Sequence, residues 1–191
     1  MFDGGIEKGN YGYADYRRKN TLIKAIVCAL ISLLFIVVGL VIFKTKRNYL
    51  MIPGLLMVLP FANFMATYLS MVKFHTAPAE RYAMVKNFEE SGMLLSDLVV
   101  VNEAGKRMFA EFAVVYRNGI LMYGSDERWK TQDMDTHFNA KLRSRGLTVR
   151  LRSYHDFDEF LERINGLEPP NDDTSRRRVE LSRETILLSC M

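Results

Sequence analysis

The sequence predicts an integral membrane protein, built from a two-helix transmembrane hairpin and a small cytoplasmic α+β domain with the order α-β-β-β-α-β-α. Three observations predict this class. Residues 25–43 and 49–72 are almost wholly apolar, the rest is charged throughout, and hydrophobic periodicity after the spans alternates between strand and helix spacing. We divide the 191 residues into an N-terminal cytoplasmic segment (1–20), the hairpin (21–72), the α/β domain (76–168) and a C-terminal tail (169–191).

The first predicted span covers nineteen residues without a charge, 25–43. At about 1.5 Å per residue this helix covers about 28 Å, close to the roughly 30 Å hydrocarbon core of a bilayer. A core helix of a soluble protein carries a polar stripe, and a signal peptide has a shorter apolar region followed by small residues. Lys44, Lys46 and Arg47 follow this stretch instead, which favours a transmembrane helix.

The second predicted span contains two prolines and a polar face. Pro53 falls in the first turn, whereas Pro60 is internal and is expected to kink the helix. Asn63, Thr67 and Ser70 follow at spacings of four and three, so they share one face. We expect that face either to pack against the first span or another protomer, or to bond to backbone carbonyls freed by Pro60. Neither span interior holds an ionisable residue, which disfavours a substrate pathway.

The basic residues flank the predicted spans. Residues 1–48 hold eight basic against three acidic groups, a net charge of +5, whereas residues 49–191 hold 18 against 19, a net charge of −1. A nearly neutral domain lacks the charge that phosphate-backbone binding needs, so a nucleic-acid partner is not expected. Three basic residues lie between the spans and seven lie near the outer flanks, which predicts a cell-membrane protein with both termini cytoplasmic. The predicted membrane-surface residues, which meet anionic lipid headgroups, are Arg17, Arg18 and Lys19.

Strand signals dominate the first half of the domain. The predicted elements, in order, are a helix over 80–91, a strand over 98–101, a turn over 103–106 and a central strand over 108–116. The last of these is apolar on both faces, which is why it is predicted to be central. Asn118 and Gly119 both tolerate the positive φ of a type I′ turn, so residues 120–123 are predicted to return antiparallel.

Helix signals dominate the second half. Thr131 is the predicted N-cap of a helix that ends near Gly146, with apolar residues every four positions. Residues 147–152 alternate between apolar and polar, as a half-buried strand does, and residues 157–164 have the spacing of an amphipathic helix. The tail from residue 171 onward begins as a polar segment.

Cysteine and histidine patterns favour neither a disulfide nor a metal centre. Cys28 lies inside the first predicted span and Cys190 lies far from it, so the two are poorly placed for a disulfide. His75, His137 and His155 are scattered, without the cysteine or carboxylate spacing of zinc sites. We expect His75 at the headgroup level and the other two facing solvent, and we predict neither a metal nor a cofactor.

The element order α-β-β-β-α-β over about residues 80–153 resembles the core of the restriction-endonuclease-like nucleases. The signature of that family is an acidic residue on the second strand and a Glu-x-Lys-type motif on the third. Here the third strand, 120–123, carries neither residue of that motif. A nuclease-like site in this chain would therefore have to take its metal ligands and its catalytic lysine from other positions. The candidates are Glu111, Asp126, Glu127 and Lys130.

The leading hypothesis is a non-enzymatic, membrane-anchored module, an adaptor or small subunit whose domain binds another protein. Phosphate-binding loops, dinucleotide fingerprints and nucleophile elbows are absent from the sequence. A membrane-tethered hydrolase or nuclease is one alternative, and an oligomeric pore or transporter component is another. The expected partners are the lipid bilayer and a protein, which is either a different protein or a second copy of the chain.

Overall fold

The computed structural model describes residues 5–43, 49, 51–101, 105, 107–167 and 169–190. Two compact units divide the chain. The helical unit is Ala14–His75, and the α+β unit combines the segment up to Tyr13 with everything from Thr76 onward. The fold is thus mixed α+β, with two long apolar helices, as the sequence predicts. The predicted turn at 103–106 and the basic loop at 44–47 lie outside the described residues, apart from Gly105.

The helical unit contains α1 (Tyr13–Phe43), α2 (Met51–Leu56) and α3 (Val58–Met71). The runs Tyr13–Ile42 and Ile52–Met71 are each long and apolar enough to cross a membrane. The second run is divided at Met57, one turn before Pro60. Proline has no N–H to bond to the carbonyl four residues earlier, and that carbonyl belongs to Leu56, where α2 ends.

Small residues bring α1 and α2 together. The Ser32 hydroxyl donates a hydrogen bond of 2.7 Å to the carbonyl oxygen of Gly54. A Cβ at Gly54 would lie 3.1 Å from a side-chain carbon of Ile36, so glycine permits this close approach. From Tyr13 to Ile42, the part of α1 whose burial the structure describes, the buried residues are all small and recur at spacings of four and seven: Ala14, Thr21, Ala25, Ser32 and Gly39.

The α+β unit is a four-stranded sheet with helices on both faces. Its elements are α4 (Ala79–Val85), α5 (Asn87–Glu90), β1 (Leu94–Val101), β2 (Arg107–Tyr116), β3 (Gly119–Tyr123), α6 (Thr131–Ser144), β4 (Arg150–Tyr154), α7 (Phe157–Ile164) and α8 (Asp173–Ser189). The strand order is β1-β2-β3-β4. The first three strands are antiparallel neighbours, and β4 returns parallel to β3 after the α6 crossover.

The bounds of three elements differ from the sequence prediction. Strand β1 begins at Leu94, four residues before the predicted start at residue 98, and β4 covers Arg150–Tyr154 where 147–152 is predicted. The N-cap of α6 is Lys130, whereas Thr131, the predicted N-cap, is the first residue of the helix.

Two further elements differ in kind. The single helix predicted over 80–91 is two short helices, α4 and α5, that meet at Lys86. The segment predicted as a tail contains α8, which buries Val179 and Ile186 in the core beside the sheet. This contact needs only about one apolar residue per turn of α8, so the helical periodicity of apolar residues is weak. The charged run Arg176–Arg178 obscures it further in the sequence.

The β2–β3 hairpin is confirmed, but its predicted turn type is wrong. Gly119 pairs with Tyr116, so the turn consists of Arg117 and Asn118. Neither Asn118 nor Gly119 has a positive φ, which a type I′ turn at these positions requires. Glycine is needed for space instead, because a Cβ at Gly119 would lie 2.9 Å from the carbonyl oxygen of Arg150.

Terminal segments cover the outer edge of β1. The Ser96 N–H donates to the carbonyl oxygen of Gly9 over 2.7 Å, and Val100 forms an antiparallel bridge with Cys190. The ammonium group of Lys8 donates to the Cys190 carbonyl, which ties the two terminal segments together. These contacts close a strand edge that would otherwise be open to pairing with other chains.

The Cys190 thiol provides a test of this edge closure. Burial raises the pKa of this thiol to about 12, opposed by the charge of Lys8. Since the thiolate is the reactive form, we expect iodoacetamide to modify Cys190 more than about 100-fold more slowly in the folded protein than in urea. The measurement uses the Cys28→Ser variant, in which Cys190 is the sole thiol. Equal rates in both states would contradict a docked C-terminal segment.

Candidate functional site: two buried carboxylates in the sheet

Two buried carboxylates lie opposite each other on β1 and β2. The strand register pairs Ser96 with Phe112 and Leu98 with Ala110, which leaves Asp97 facing Glu111 between these pairs. Asp97 is 1% exposed and Glu111 is 4% exposed. Asp97 also has a φ of 55°, the left-handed conformation that aspartate tolerates better than most residues.

Both strands switch faces at these carboxylates. Leu95 and Leu98 belong to one core cluster, and so do Ala110 and Ala113, although residues three apart face opposite sides in a regular strand. Each strand therefore carries an irregularity at the same level, and the register is the same on either side of it.

Glu111 is compensated by groups from two other elements. The Ser125 hydroxyl donates to Glu111 Oε1, and the Ser125 N–H lies 3.3 Å from the same oxygen. Arg81 on α4 approaches Glu111 Oε2 to 3.6 Å. A buried carboxylate without such partners would destabilise the fold by several kcal/mol.

Aromatic rings hold the Arg81 guanidinium in place. Arg81 donates a 2.9 Å hydrogen bond to the Tyr123 hydroxyl and lies 5.8 Å from the centre of the Tyr123 ring. The Phe157 ring centre lies 5.3 Å away. Burial, and then the charge of Glu111, raise the pKa of Tyr123 above its usual value, whereas Arg81 lowers it. The phenol therefore stays neutral and accepts the hydrogen bond from Arg81.

Asp97 binds the first residue of the α+β unit after the helices. The Thr76 hydroxyl donates to Asp97 Oδ2 over 2.7 Å. Nearby in sequence, the Ala77 carbonyl accepts a 2.7 Å hydrogen bond from the hydroxyl of Tyr11, whose ring stacks on Tyr82 at 3.9 Å. We call this group the anchor cluster. Its members are Tyr11, Thr76, Ala77, Arg81, Tyr82, Asp97, Glu111, Tyr123 and Ser125.

The four catalytic candidates occupy different environments. Asp126 forms a two-pronged pair with Arg128 at 2.6 and 2.8 Å, and Arg128 holds the pKa of Asp126 below its usual value. Glu127 and Lys130 are exposed, and in the described part of the chain neither makes a hydrogen bond or ion pair with Glu111. No group of three or more His, Cys, Asp or Glu side chains there could hold a metal ion.

The polar residues of α3 behave in two ways. The Thr67 hydroxyl donates to the Asn63 carbonyl over 2.9 Å, and the Ser70 hydroxyl donates to the Thr67 carbonyl over 2.6 Å. Both hydroxyls therefore bond to their own helix, although not to the carbonyl that Pro60 leaves free. The Asn63 side chain is exposed and has no hydrogen-bond partner among the described residues.

The three predicted membrane-surface residues differ in exposure and in ion pairing. Arg18 pairs with Asp15 at 3.0 Å and lies 2.7 Å from Nδ1 of His75, so its charge is partly compensated. Lys19 is exposed, whereas Arg17 is half-buried.

Sequence reasoning missed Arg81, Asp97 and Ser125, and its expectation for His155 is wrong. His155 is half-buried, with Nδ1 2.7 Å from the Gly124 carbonyl oxygen and Nε2 3.0 Å from that of Trp129. Its ring lies against the Trp129 indole, with centres 4.4 Å apart. Asp97 follows Leu94 and Leu95 closely, but the sequence places it before the predicted strand at 98–101 and gives no local signal that it is buried.

No protein-family model, curated protein or solved structure matches this chain. The resemblance in element order to the restriction-endonuclease-like core is therefore not accompanied by a match to a solved structure of any fold.

Removing Arg81 tests the anchor cluster. We expect Arg81→Met to lower the free energy of unfolding by about 2 kcal/mol, because Glu111 stays buried with only Ser125 as a partner. The double variant Arg81→Met/Glu111→Gln should recover part of this loss, since it removes the buried charge. Denaturant titration of the full-length protein in mild detergent measures both. Arg128→Met is the control and should change the same quantity by less than about 0.5 kcal/mol, as expected for a surface pair.

The carboxyl group of Asp135 gives a pH-dependent test of the α6–β4 contact. Ser153 donates to Asp135 over 2.6 Å, but burial dominates and raises the pKa of Asp135 above its usual value of 3.8. The protonated form is therefore favoured by folding, and its stabilising contribution is lost as the pH rises through the folded-state pKa. We expect Asp135→Asn to unfold at a higher temperature than wild type at pH 7, with the difference disappearing at about pH 3. A constant difference across this range would show that ionisation of Asp135 is not involved.

Proposed function

We propose that this chain is a membrane-anchored interaction module, in which α1 and α2–α3 cross the bilayer and the α+β unit binds a protein partner in the cytoplasm. The surface of the helices carries this proposal. In their most apolar stretches only 17% and 6% of the residues are buried, whereas a core helix of a soluble protein is mostly buried. Large side chains such as Leu55 and Leu59 are 72% and 70% exposed. In water each such side chain would cost about 1.5–3 kcal/mol relative to an apolar environment.

Contacts within the α+β unit support placing both ends of the hairpin on one side of the membrane. The N-terminal segment packs on this unit through Gly9 and Ser96, and Tyr11 bonds to the Ala77 carbonyl. A chain that leaves the unit near Tyr13 and returns at Thr76 crosses the bilayer an even number of times. The excess of basic residues at these flanks favours the cytoplasmic side.

The anchor cluster supports an interaction module over an enzyme. Its acidic groups bond to residues of the same unit, and Thr76 and Arg81 come from the segment that follows the helices. This arrangement fixes the connecting segment on the sheet. The paired Asp126 and exposed Glu127 add no metal-binding group to it, so the nuclease alternative gains no support here.

Exposed leucines on α8 are the best candidate surface for a partner. Leu181 and Leu188 lie seven residues apart, so they share one face of the helix, and they are 45% and 61% exposed. Most other large apolar side chains of the described α+β unit are buried or half-buried. Exposed apolar side chains that share a helix face are where a partner can bury apolar surface, so we choose these two leucines for the test.

Membrane insertion and topology are tested by cysteine labelling in intact cells. Single cysteines replace Tyr49 or Glu127, both exposed, in a Cys28→Ser/Cys190→Ser background. We expect a membrane-impermeant maleimide to label Tyr49→Cys from outside and Glu127→Cys only after permeabilisation, and alkaline carbonate to leave the protein in the membrane. Release by carbonate would contradict insertion, and equal labelling of both sites would contradict the topology.

Partner binding is tested by purifying the tagged full-length protein in mild detergent and quantifying what co-purifies. We expect a stoichiometric protein that is reduced at least about tenfold by Leu181→Ser/Leu188→Ser, since loss of two apolar contacts costs more than 1.4 kcal/mol. Glu180→Ser is the matched control on the same helix. A partner retained by the leucine variant would place the binding surface elsewhere, and the absence of any stoichiometric protein would contradict the adaptor proposal.

A further inference from the structure

The His155 ring lies between two backbone carbonyl groups. Its Nδ1 is 2.7 Å from the carbonyl oxygen of Gly124, and its Nε2 is 3.0 Å from the carbonyl oxygen of Trp129. A carbonyl oxygen only accepts hydrogen bonds, and a neutral imidazole carries a proton on one of its two nitrogens. The neutral ring therefore satisfies one of these carbonyls, whereas the doubly protonated imidazolium donates to both.

No carboxylate of the described residues bonds to the ring nitrogens. The ionisable groups on the neighbouring elements are Glu111, Tyr123, Asp126, Arg128, Asp135 and Asp156. Each carboxylate among them bonds to another group of the described chain. The pKa of Asp126 is lowered mainly by its hydrogen bonds with Arg128 and further by the charge of His155. A positive charge on the ring therefore lies near an acidic group and meets two acceptors.

The two carbonyls belong to opposite ends of one connection. Residues 124–130 link β3 to α6, and Gly124 and Trp129 lie at the beginning and near the end of this segment. The two ends meet, since a Cβ at Gly124 would lie 2.6 Å from a ring carbon of Trp129. The Gly124 N–H also donates to the Tyr154 carbonyl over 3.1 Å. The Gly124 end is therefore held to β4 without the ring, whereas His155 supplies the hydrogen bond at the Trp129 end.

The same connection positions a member of the anchor cluster. Ser125 directly follows Gly124, and its hydroxyl donates to the buried carboxylate of Glu111. His155 thus holds the residue next to the one that compensates Glu111. A change in the protonation of His155 is therefore transmitted through two backbone residues to the middle of the sheet.

We propose that His155 is a pH-sensitive clamp on the β3–α6 connection, closed as an imidazolium that donates to both carbonyls and open as a neutral ring that keeps only Gly124. The contact to Gly124 is the shorter one, so the neutral ring keeps its proton on Nδ1. The ring is half-buried, and histidine side chains change charge between about pH 5 and 8. The stabilisation by the closed clamp is present at low pH and is lost as the pH rises. Every group of the clamp belongs to the α+β unit, so this inference does not depend on membrane anchoring.

Nitrogen NMR tests the protonation states directly. The sample is the full-length His75→Gln/His137→Gln variant in mild detergent, in which His155 is the sole histidine and carries the ¹⁵N label. We expect both ring nitrogens to carry a proton at about pH 5.5 and Nδ1 alone to carry one at about pH 8. A proton on Nε2 alone at the higher pH, or the same protonation state at both, would overturn the proposal.

Hydrogen exchange of the full-length protein tests the movement of the connection. We expect the amides of residues 125–130 to exchange about tenfold more slowly at about pH 5.5 than at about pH 8, after correction for the intrinsic pH dependence of exchange, as one hydrogen bond from a charged donor implies. His155→Gln should abolish this difference, because a glutamine amide does not change charge.

Asp135→Asn is the matched control for this measurement. It removes the neighbouring titratable group that bonds to Ser153, two residues before His155, and it should retain the difference in exchange. A difference that persists in His155→Gln, or that disappears in Asp135→Asn, would assign the pH dependence to another group and refute the clamp.

Discussion

The buried carboxylate of Glu111 is the constraint on which the arrangement of the α+β unit depends. A charge in the middle of a central strand is tolerated only where other groups compensate it. Here the compensation comes from Arg81, which lies in the first helix after the hairpin, and from Ser125, which follows the third strand. The ion pair between Arg81 and Glu111 therefore fixes the position of α4 relative to β2. Asp97 acts in the same way on Thr76, so the sheet holds the connecting segment at two points.

This arrangement explains why the sequence predicted the sheet and not the site. Strand β2 and the hairpin that follows depend on neighbours in the chain, and their local patterns were sufficient. The partners of Glu111 lie thirty residues before it and fourteen after it, and no local spacing relates them. Local signals also failed at Gly119. Glycine is required there because the backbone carbonyl of β4 lies too close for a Cβ, and not because the backbone has a positive φ. Helix α8 was missed because its charged exposed face outweighs a thin buried stripe.

For α1 and α2–α3, too, the sequence predicted the features that depend on neighbouring residues but not the contacts between distant ones. Their length and apolar character were readable from composition, as was a break near Pro60. Composition does not show which polar side chains of these helices need a partner from outside the helix. A serine or threonine hydroxyl can bond back to a carbonyl of its own helix, whereas an asparagine amide leaves its donors to be satisfied elsewhere. The contact between Ser32 and Gly54 was also unpredicted, since a glycine in an apolar helix signals close packing only once the neighbouring helix is placed.

The covered edge of β1 has a consequence for biosynthesis. Residue 9 leaves the ribosome before either apolar helix, and residue 190 leaves after the whole sheet has been made, yet both lie against the same strand. When β1 through β4 have been made, the end of that edge near Val100 therefore still presents unpaired backbone groups. During this interval the chain is most exposed to strand pairing with a neighbouring copy on the same messenger RNA. The bridge between Val100 and Cys190 ends the interval, so translation must reach the C-terminal segment before the fold is protected.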